Sequence, residues 1–124
     1  MLLVEDECLV REIVKEILEI NGFEIFAADS GDEAIRLLDA LDHVDIVVTD
    51  VRMPGRNDGV DVAHHARALF PRVPIIVAMG FADNIRDRLK PFSPAAVLLE
   101  KPYRLDRLTA FARQLCEPNK GGQV

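Results

Sequence analysis

Only two cysteines occur in the 124 residues, Cys8 and Cys116, and neither sits in a CxxC pair or at a zinc-holding spacing. That argues against zinc ribbons and dithiol redox chemistry. It also favours reduced thiols in a reducing compartment over a disulfide. No apolar stretch approaches the ~20 residues of a membrane span. The N-terminus shows neither a basic segment nor the cleavage site of a secretory signal. The expectation is a cytoplasmic protein. Positive charge is not in excess either: 15 Lys and Arg stand against 21 Asp and Glu, a net charge of −6. A chain of that sign does not hold phosphate backbones or anionic lipid non-specifically, so neither nucleic acid nor membrane is an expected partner. Internal repeats, linkers and low-complexity tracts are missing as well. What remains is a chain 49% hydrophobic and 29% charged, of a length that makes one domain with one real core.

Apolar runs of strand length alternate with segments of helical period. Met1–Val4 is a short apolar run, after which Leu9, Val10, Ile13, Val14, Ile17 and Leu18 recur at helical spacing until Asn21-Gly22. Phe23–Ala28 reads as a second strand. Ser30 then stands as an N-cap with Glu33 at the reciprocal capping position, opening a helix with Ala34, Ile35, Leu38 and Leu41 on one face. Val44–Thr49 is apolar nearly throughout, as a strand covered on both faces must be. A third helix carries Val62, Ala63, Ala66, Leu69 and Phe70 and breaks at Pro71 and Pro74. Val73–Met79 is a fourth strand, 82–89 a weaker helix, Ala96–Leu99 a fifth strand, and Leu105, Leu108, Ala112 and Leu115 mark a last helix. Five strands alternating with five helices imply right-handed crossovers and a doubly wound parallel sheet, a single three-layer α/β domain.

The first and third strands both end in carboxylates, Glu5 and Asp6 in one case and Asp50 in the other. In open parallel sheets ligands bind beyond the carboxyl ends of the strands, where the strand order reverses. With the order 2-1-3-4-5, one of the common orders for such sheets, strands one and three are neighbours and the three acids converge. Uncompensated, they repel and raise one another's pKa. A divalent cation relieves that, and all-oxygen ligation favours Mg²⁺. Glu5 or Asp6 alone also reads as a helix N-cap or first-turn acid favoured by the helix dipole. Asp50 resists that reading, because Pro54 and Gly55 follow it and no helix starts there. Lys101, after the fifth strand, is alone an ordinary surface lysine; at a neighbouring strand end it can reach an anion held beside Asp50. Acids, a lysine and a metal suit phosphoryl transfer, where charge neutralisation is most of the catalysis required and Asp50 is the candidate nucleophile.

The segments Leu2-Leu3-Val4-Glu5-Asp6-Glu7, Thr49-Asp50-Val51-Arg52-Met53-Pro54-Gly55, Asp58-Gly59 and Lys101-Pro102 together resemble the receiver domain of response regulators, over nearly the whole chain. The resemblance implies a (βα)5 sheet of flavodoxin-like order 2-1-3-4-5, with the domain over residues 1–117; the segment 118–124, with its Pro and two Gly, is expected to be a flexible tail. It implies that Glu5 and Asp6 are the metal-binding acidic pair and that Asp50 is the phosphoacceptor and a metal ligand. It further implies that the backbone carbonyl of Arg52 completes the protein's share of the Mg²⁺ shell and that Lys101 pairs with the phosphoryl group. The Lys101-Pro102 bond is cis in such proteins, a geometry essentially confined to proline. A partner sensor histidine kinase or histidine phosphotransfer protein, or a small phosphodonor, would supply the phosphoryl group. The three histidines of this chain are not placed to do so: His64 and His65 are adjacent on a helix and point apart, and His43 lies in a loop.

Two positions depart from the family pattern. Receivers carry Thr or Ser at the end of strand four, where this chain has Met79, and a thioether has no proton to donate. The usual aromatic three residues before the lysine is Leu98. The stretch from Pro74 to Phe81 aligns with the PFxFATGY motif of a subfamily of single-domain receivers, with Phe81 in place of the Tyr. The expectation is a muted switch, or one that runs through Phe81 and the segment 80–89, while Mg²⁺ and Lys101 still allow Asp50 to be phosphorylated. Arg52 can also orient or hinder the attacking water. A first docking surface is Asn84–Phe92 with the helix from Arg104 to Cys116, although a charge run of that kind also serves as a solvated face. The rival from another class is a phosphorylation-independent interaction module with degenerate switch residues. A flavin-binding domain of the same architecture fits poorly, because Glu5-Asp6-Glu7 would repel the cofactor phosphate where a Gly-rich loop is needed. A phosphoester hydrolase would need a second aspartate where Arg52 stands.

Overall fold

The computed structural model describes residues 1–80, 83 and 85–121, with the side chains of 117–121 left aside. The elements run β1 (Leu2–Val4), α1 (Cys8–Ile20), β2 (Phe26–Ala28), α2 (Gly31–Ala40), β3 (Val47–Asp50), α3 (Gly59–Leu69), β4 (Ile75–Met79), α4 (Arg86–Leu89), β5 (Val97–Glu100) and α5 (Leu105–Gly121). The five strands form one sheet in the order β2-β1-β3-β4-β5, every neighbouring pair parallel. Strand order reverses beside β1, so the carboxyl ends of β1 and β3 open a crevice there.

Alternation along the strands divides the interior in two. Leu2, Val4, Val47, Ile75 and Val77 pack with α2 and α3 on one face; Leu3, Ile46, Val48 and Ile76 pack with α1 and α5 on the other. Both faces are covered, which is why these strands are apolar throughout. The helix boundaries follow the expected chemistry. Asn21 and Gly22 stop α1, with Gly22 at φ +94 and its N–H on the Glu19 carbonyl at 3.0 Å. Ser30 caps α2 by accepting from the Glu33 N–H at 3.1 Å. The Glu33 carboxylate in turn accepts from the N–H of Asp29 at 2.9 Å, rather than from that of Ser30. A complete reciprocal box forms instead at Asp58 and Asp61, opening α3.

Several strands are shorter than their apolar runs. Residue 23 is spent on the end of α1, where its N–H bonds to the Leu18 carbonyl at 3.1 Å, and the first ladder bond of β2 falls at Phe26, to the Met1 carbonyl at 2.9 Å. On α1 the apolar stripe is wider than the face the sheet can cover. Val14 and Leu18 are buried, whereas Leu9 and Ile13 are 78% and 52% exposed. The final helix, α5, runs to Gly121. Among the described residues no helix is long and apolar enough to cross a membrane, and no disulfide joins Cys8 and Cys116.

Candidate functional site

Asp50 is the last residue of β3, paired in register with Ala78 of β4. Glu5 and Asp6 follow β1, the strand on the other side of β3. The topology therefore brings the three acids together: one carboxylate oxygen from each lies within 4.8 Å of the others. Glu5 and Asp50 are buried at 6% and 7% exposure, and Asp6 faces solvent. Neither Glu5 nor Asp6 is the N-cap of α1; that position is Glu7, and its N–H is taken by the Glu5 carboxylate at 3.1 Å. The Glu5 carbonyl in turn accepts from the Arg11 guanidinium at 2.9 Å.

Two buried carboxylates this close cannot both ionise freely. Burial, followed by the charge of Asp50 and a hydrogen bond with Asp6, pushes the Glu5 carboxyl up to about 7, against a bond from the Glu7 N–H. Burial likewise raises Asp50, opposed by Lys101 and reinforced by Asp6. Lys101 follows β5 and ion-pairs with Asp50 through its ammonium. Its backbone N–H bonds to the Met79 carbonyl at 2.8 Å, and the Lys101-Pro102 peptide is cis, as expected. One ammonium against three carboxylates leaves a negative, oxygen-only cluster at the rim of the sheet. That donor set fits a hard divalent cation such as Mg²⁺ and no thiophilic metal.

Close packing fixes Asp50 from below. A methyl group on Gly59 would lie 1.8 Å from the Asp50 carbonyl oxygen and 3.0 Å from the Val51 Cα, and the Gly59 N–H donates to the Val51 carbonyl at 2.8 Å. Only glycine lets α3 start that near β3. The Thr49 hydroxyl is buried and donates to the Asp50 carbonyl at 2.9 Å.

The chain belongs to the response regulator receiver family. The model of that family, the response regulator receiver domain, matches residues 1–113. A response regulator MprA of Mycolicibacterium vanbaalenii is 36% identical over 116 residues, covering 93% of this chain and 49% of that protein. A sensor kinase CckA of Brucella abortus is 34% identical over 118 residues, covering 94% of this chain and 12% of its own length. The chain thus spans about half the length of the MprA relatives it matches. Among solved structures, a response regulator receiver protein of Sinorhizobium medicae superposes with a TM-score of 0.82 at 32% identity, covering 94% of this chain and 92% of that one. The receiver is a signalling domain rather than a conventional enzyme.

In this receiver the fold gathers Glu5, Asp6, Asp50 and Lys101. Arg52 stands two residues beyond Asp50 with its side chain 73% exposed, ion-paired to Asp83 at 2.5 Å. Met79 is buried at the end of β4, and Leu98 is half-buried, packed against the same face of the sheet as Met79. Phe81 lies outside the described residues. The histidines are engaged elsewhere: His65 with Asp39 at 2.7 Å, His43 with Asp45 at 2.5 Å, and His64 against the Phe92 ring. On the expected docking side, Arg88 of α4 forks onto Asp58 at 2.7 and 3.0 Å, while Lys90 pairs with Asp87 and Arg104 with Asp106.

Two residues of this region were not singled out by sequence. Tyr103 borders a groove of about 510 Å³ that runs from Glu5 and Lys101 to Val10 and Ile13. Burial and the charges of Glu5 and Asp50 push its phenol up to about 12. Asp83 closes a local turn with Gly80, its N–H on the Gly80 carbonyl at 3.2 Å, whereas its pairing with Arg52 spans 31 residues and has no signal in the surrounding sequence.

Proposed function

We propose that this receiver takes a phosphoryl group onto Asp50 from the phosphohistidine of a sensor histidine kinase or histidine phosphotransfer protein, and signals by protein–protein contact. The observation that carries the reading is the position of Asp50: a buried carboxylate at a strand end, between two further acids and an ammonium. A carboxylate oxygen of Asp50 attacks phosphorus, the P–N bond to the donor imidazole breaks, and the imidazole leaves with its electron pair and takes up a proton. The product is an acyl phosphate on Asp50. Glu5, Asp6, Asp50 and the Arg52 carbonyl would hold Mg²⁺, which when bound supplies charge neutralisation for the transferring group. Lys101 begins paired with Asp50 and shifts to the phosphoryl oxygens as they arrive, so its charge is already in place. The Glu5 carboxyl must lose its proton for the acidic pair to serve fully. The same site run with water as nucleophile gives slow autodephosphorylation.

The relation to a sensor kinase segment on one side and to response regulators on the other is consistent with a role in phosphorelay signalling. The surface including α4 and α5 is the proposed docking side for the downstream protein. Intact mass after incubation with acetyl phosphate and Mg²⁺, beside Asp50→Asn, tests the reading. The expected result is one phosphoryl adduct that requires Mg²⁺ and is lost in the variant. A chain that forms no adduct and binds neither Mg²⁺ nor beryllofluoride would instead act as a constitutive interaction module.

A further inference from the structure

The phosphoryl-receiving end of the sheet already contains an anion of its own. Arg52 and Gly80 each lie two residues beyond the in-register pair Asp50 and Ala78, on adjacent chains leaving β3 and β4. On the far side of β4, Lys101 bonds through its N–H to the Met79 carbonyl. Gly80 therefore leaves β4 between the chain that carries Arg52 and the chain that carries Lys101. Into this setting Asp83 places a carboxylate whose side chain is only 8% exposed. One oxygen accepts from the Arg52 Nε at 2.5 Å and the other from the Gly80 N–H at 2.7 Å. The charge of Lys101 also reaches it. Arg52 itself is largely exposed, so the contact does not arise from a shortage of solvent for the arginine.

A phosphoryl group on Asp50 carries a charge of about −1.5 to −2 and three strong acceptor oxygens. It needs donors at this end of β4, and Met79 offers none. The N–H of Gly80 and the Nε–H of Arg52 are donors beside that end, and both bond to Asp83.

We infer that Asp83 is an internal competitor of the phosphoryl group: it occupies the Arg52 and Gly80 donors in the resting protein and is displaced when an oxyanion is installed on Asp50. This rests on the proposed phosphoryl acceptance at Asp50 and assigns that site its regulation. Transfer of Arg52 from Asp83 to the phosphoryl oxygens makes the event at Asp50 felt at Asp83, three residues ahead of α4. In this chain, that exchange of partners takes the place of a hydroxyl at position 79.

The test is beryllofluoride affinity in the presence of Mg²⁺, read by ¹⁹F NMR on the full chain, for wild type, Asp83→Ala, Arg52→Ala and the double variant. Removing the competitor should tighten binding about tenfold, roughly 1.4 kcal/mol. Arg52→Ala should weaken binding, and the Asp83→Ala gain should shrink to less than about threefold in the Arg52→Ala background, the coupling expected of residues sharing one contact. If Asp83→Ala does not fold, Asp83→Asn takes its place; it removes the charge but keeps an oxygen for the Gly80 N–H, and should give a smaller gain. Affinity unchanged or weaker on losing the Asp83 carboxylate, with binding still abolished by Asp50→Asn, overturns the competition and leaves phosphoryl acceptance standing. Absence of binding in wild type and all variants overturns acceptance and the competition with it.

Discussion

Metal affinity in this receiver should carry a proton switch at neutral pH, set by Glu5. The carboxyl is 6% exposed and held up to about 7 by burial and by its acidic neighbours. A cation takes the deprotonated form, so the apparent affinity scales with the ionised fraction. That fraction is roughly 0.9 at pH 8 and roughly 0.1 at pH 6, so the dissociation constant for Mg²⁺ should rise about ninefold across the interval, near 1.3 kcal/mol. Without Mg²⁺ the dependence runs the other way on stability. Between pH 4.5 and about 7 the folded protein binds a proton at Glu5 that the unfolded chain has released, so stability falls as pH rises through that window. The fall is at most about 3 kcal/mol and levels off above pH 7. The readout is built in: Tyr103, the single tyrosine in a chain without tryptophan, borders the same groove as Glu5. Its emission on titration with Mg²⁺ from pH 6 to 8, checked by calorimetry, gives the affinities. Glu5→Gln should bind more weakly at pH 8 and lose most of the pH dependence. A Mg²⁺ affinity that is flat between pH 6 and 8 in wild type would refute the account, because it is what an ordinary carboxyl predicts.

The close contact at Asp50 makes Gly59→Ala costly despite alanine's better helix propensity. The added methyl meets the Asp50 carbonyl at 1.8 Å, and about 1–3 kcal/mol of destabilisation together with weaker beryllofluoride binding should appear in denaturant titration and ¹⁹F NMR. Met79→Thr restores a donor at the end of β4 and should enlarge the change in amide exchange at α4 that beryllofluoride produces; an unchanged response would show that position 79 does not limit coupling. Leu38→Ala, at a fully buried position of α2, should lower stability by about 2–5 kcal/mol in urea unfolding without moving Mg²⁺ affinity, since Leu38 lies in the core below the crevice.

Much of this was legible from residue order because the signals are local. The alternation of apolar strand and amphipathic helix, the stop at Asn21-Gly22 and the cap at Ser30 depend on neighbours within a few positions. The sequence also singled out Glu5, Asp6, Asp50 and Lys101, since bare carboxylates ending apolar runs are costly and a parallel sheet aligns strand ends. It misjudged how far the strands extend, because the backbone of Phe23 belongs to a helix end that hydrophobicity does not reveal. It also could not tell that Leu9 and Ile13 face solvent, since an apolar stripe says what a helix can bury, not how much cover the sheet provides.

Tertiary structure alone decided the rest. The extent to which Glu5 and Asp50 are buried, and hence the shift of Glu5 to about 7, exists only once β1 and β3 are neighbours. Why position 59 must be glycine became visible only with the start of α3 packed against the Asp50 carbonyl. Asp83 is 31 residues from Arg52, and nothing in the surrounding letters pairs them. Residue order fixed which groups stand at the strand ends, because that depends on short-range pattern. Which of those groups hold one another's charge depended on the chain packing distant segments into one low-dielectric crevice, where separations of a few ångströms set the energies.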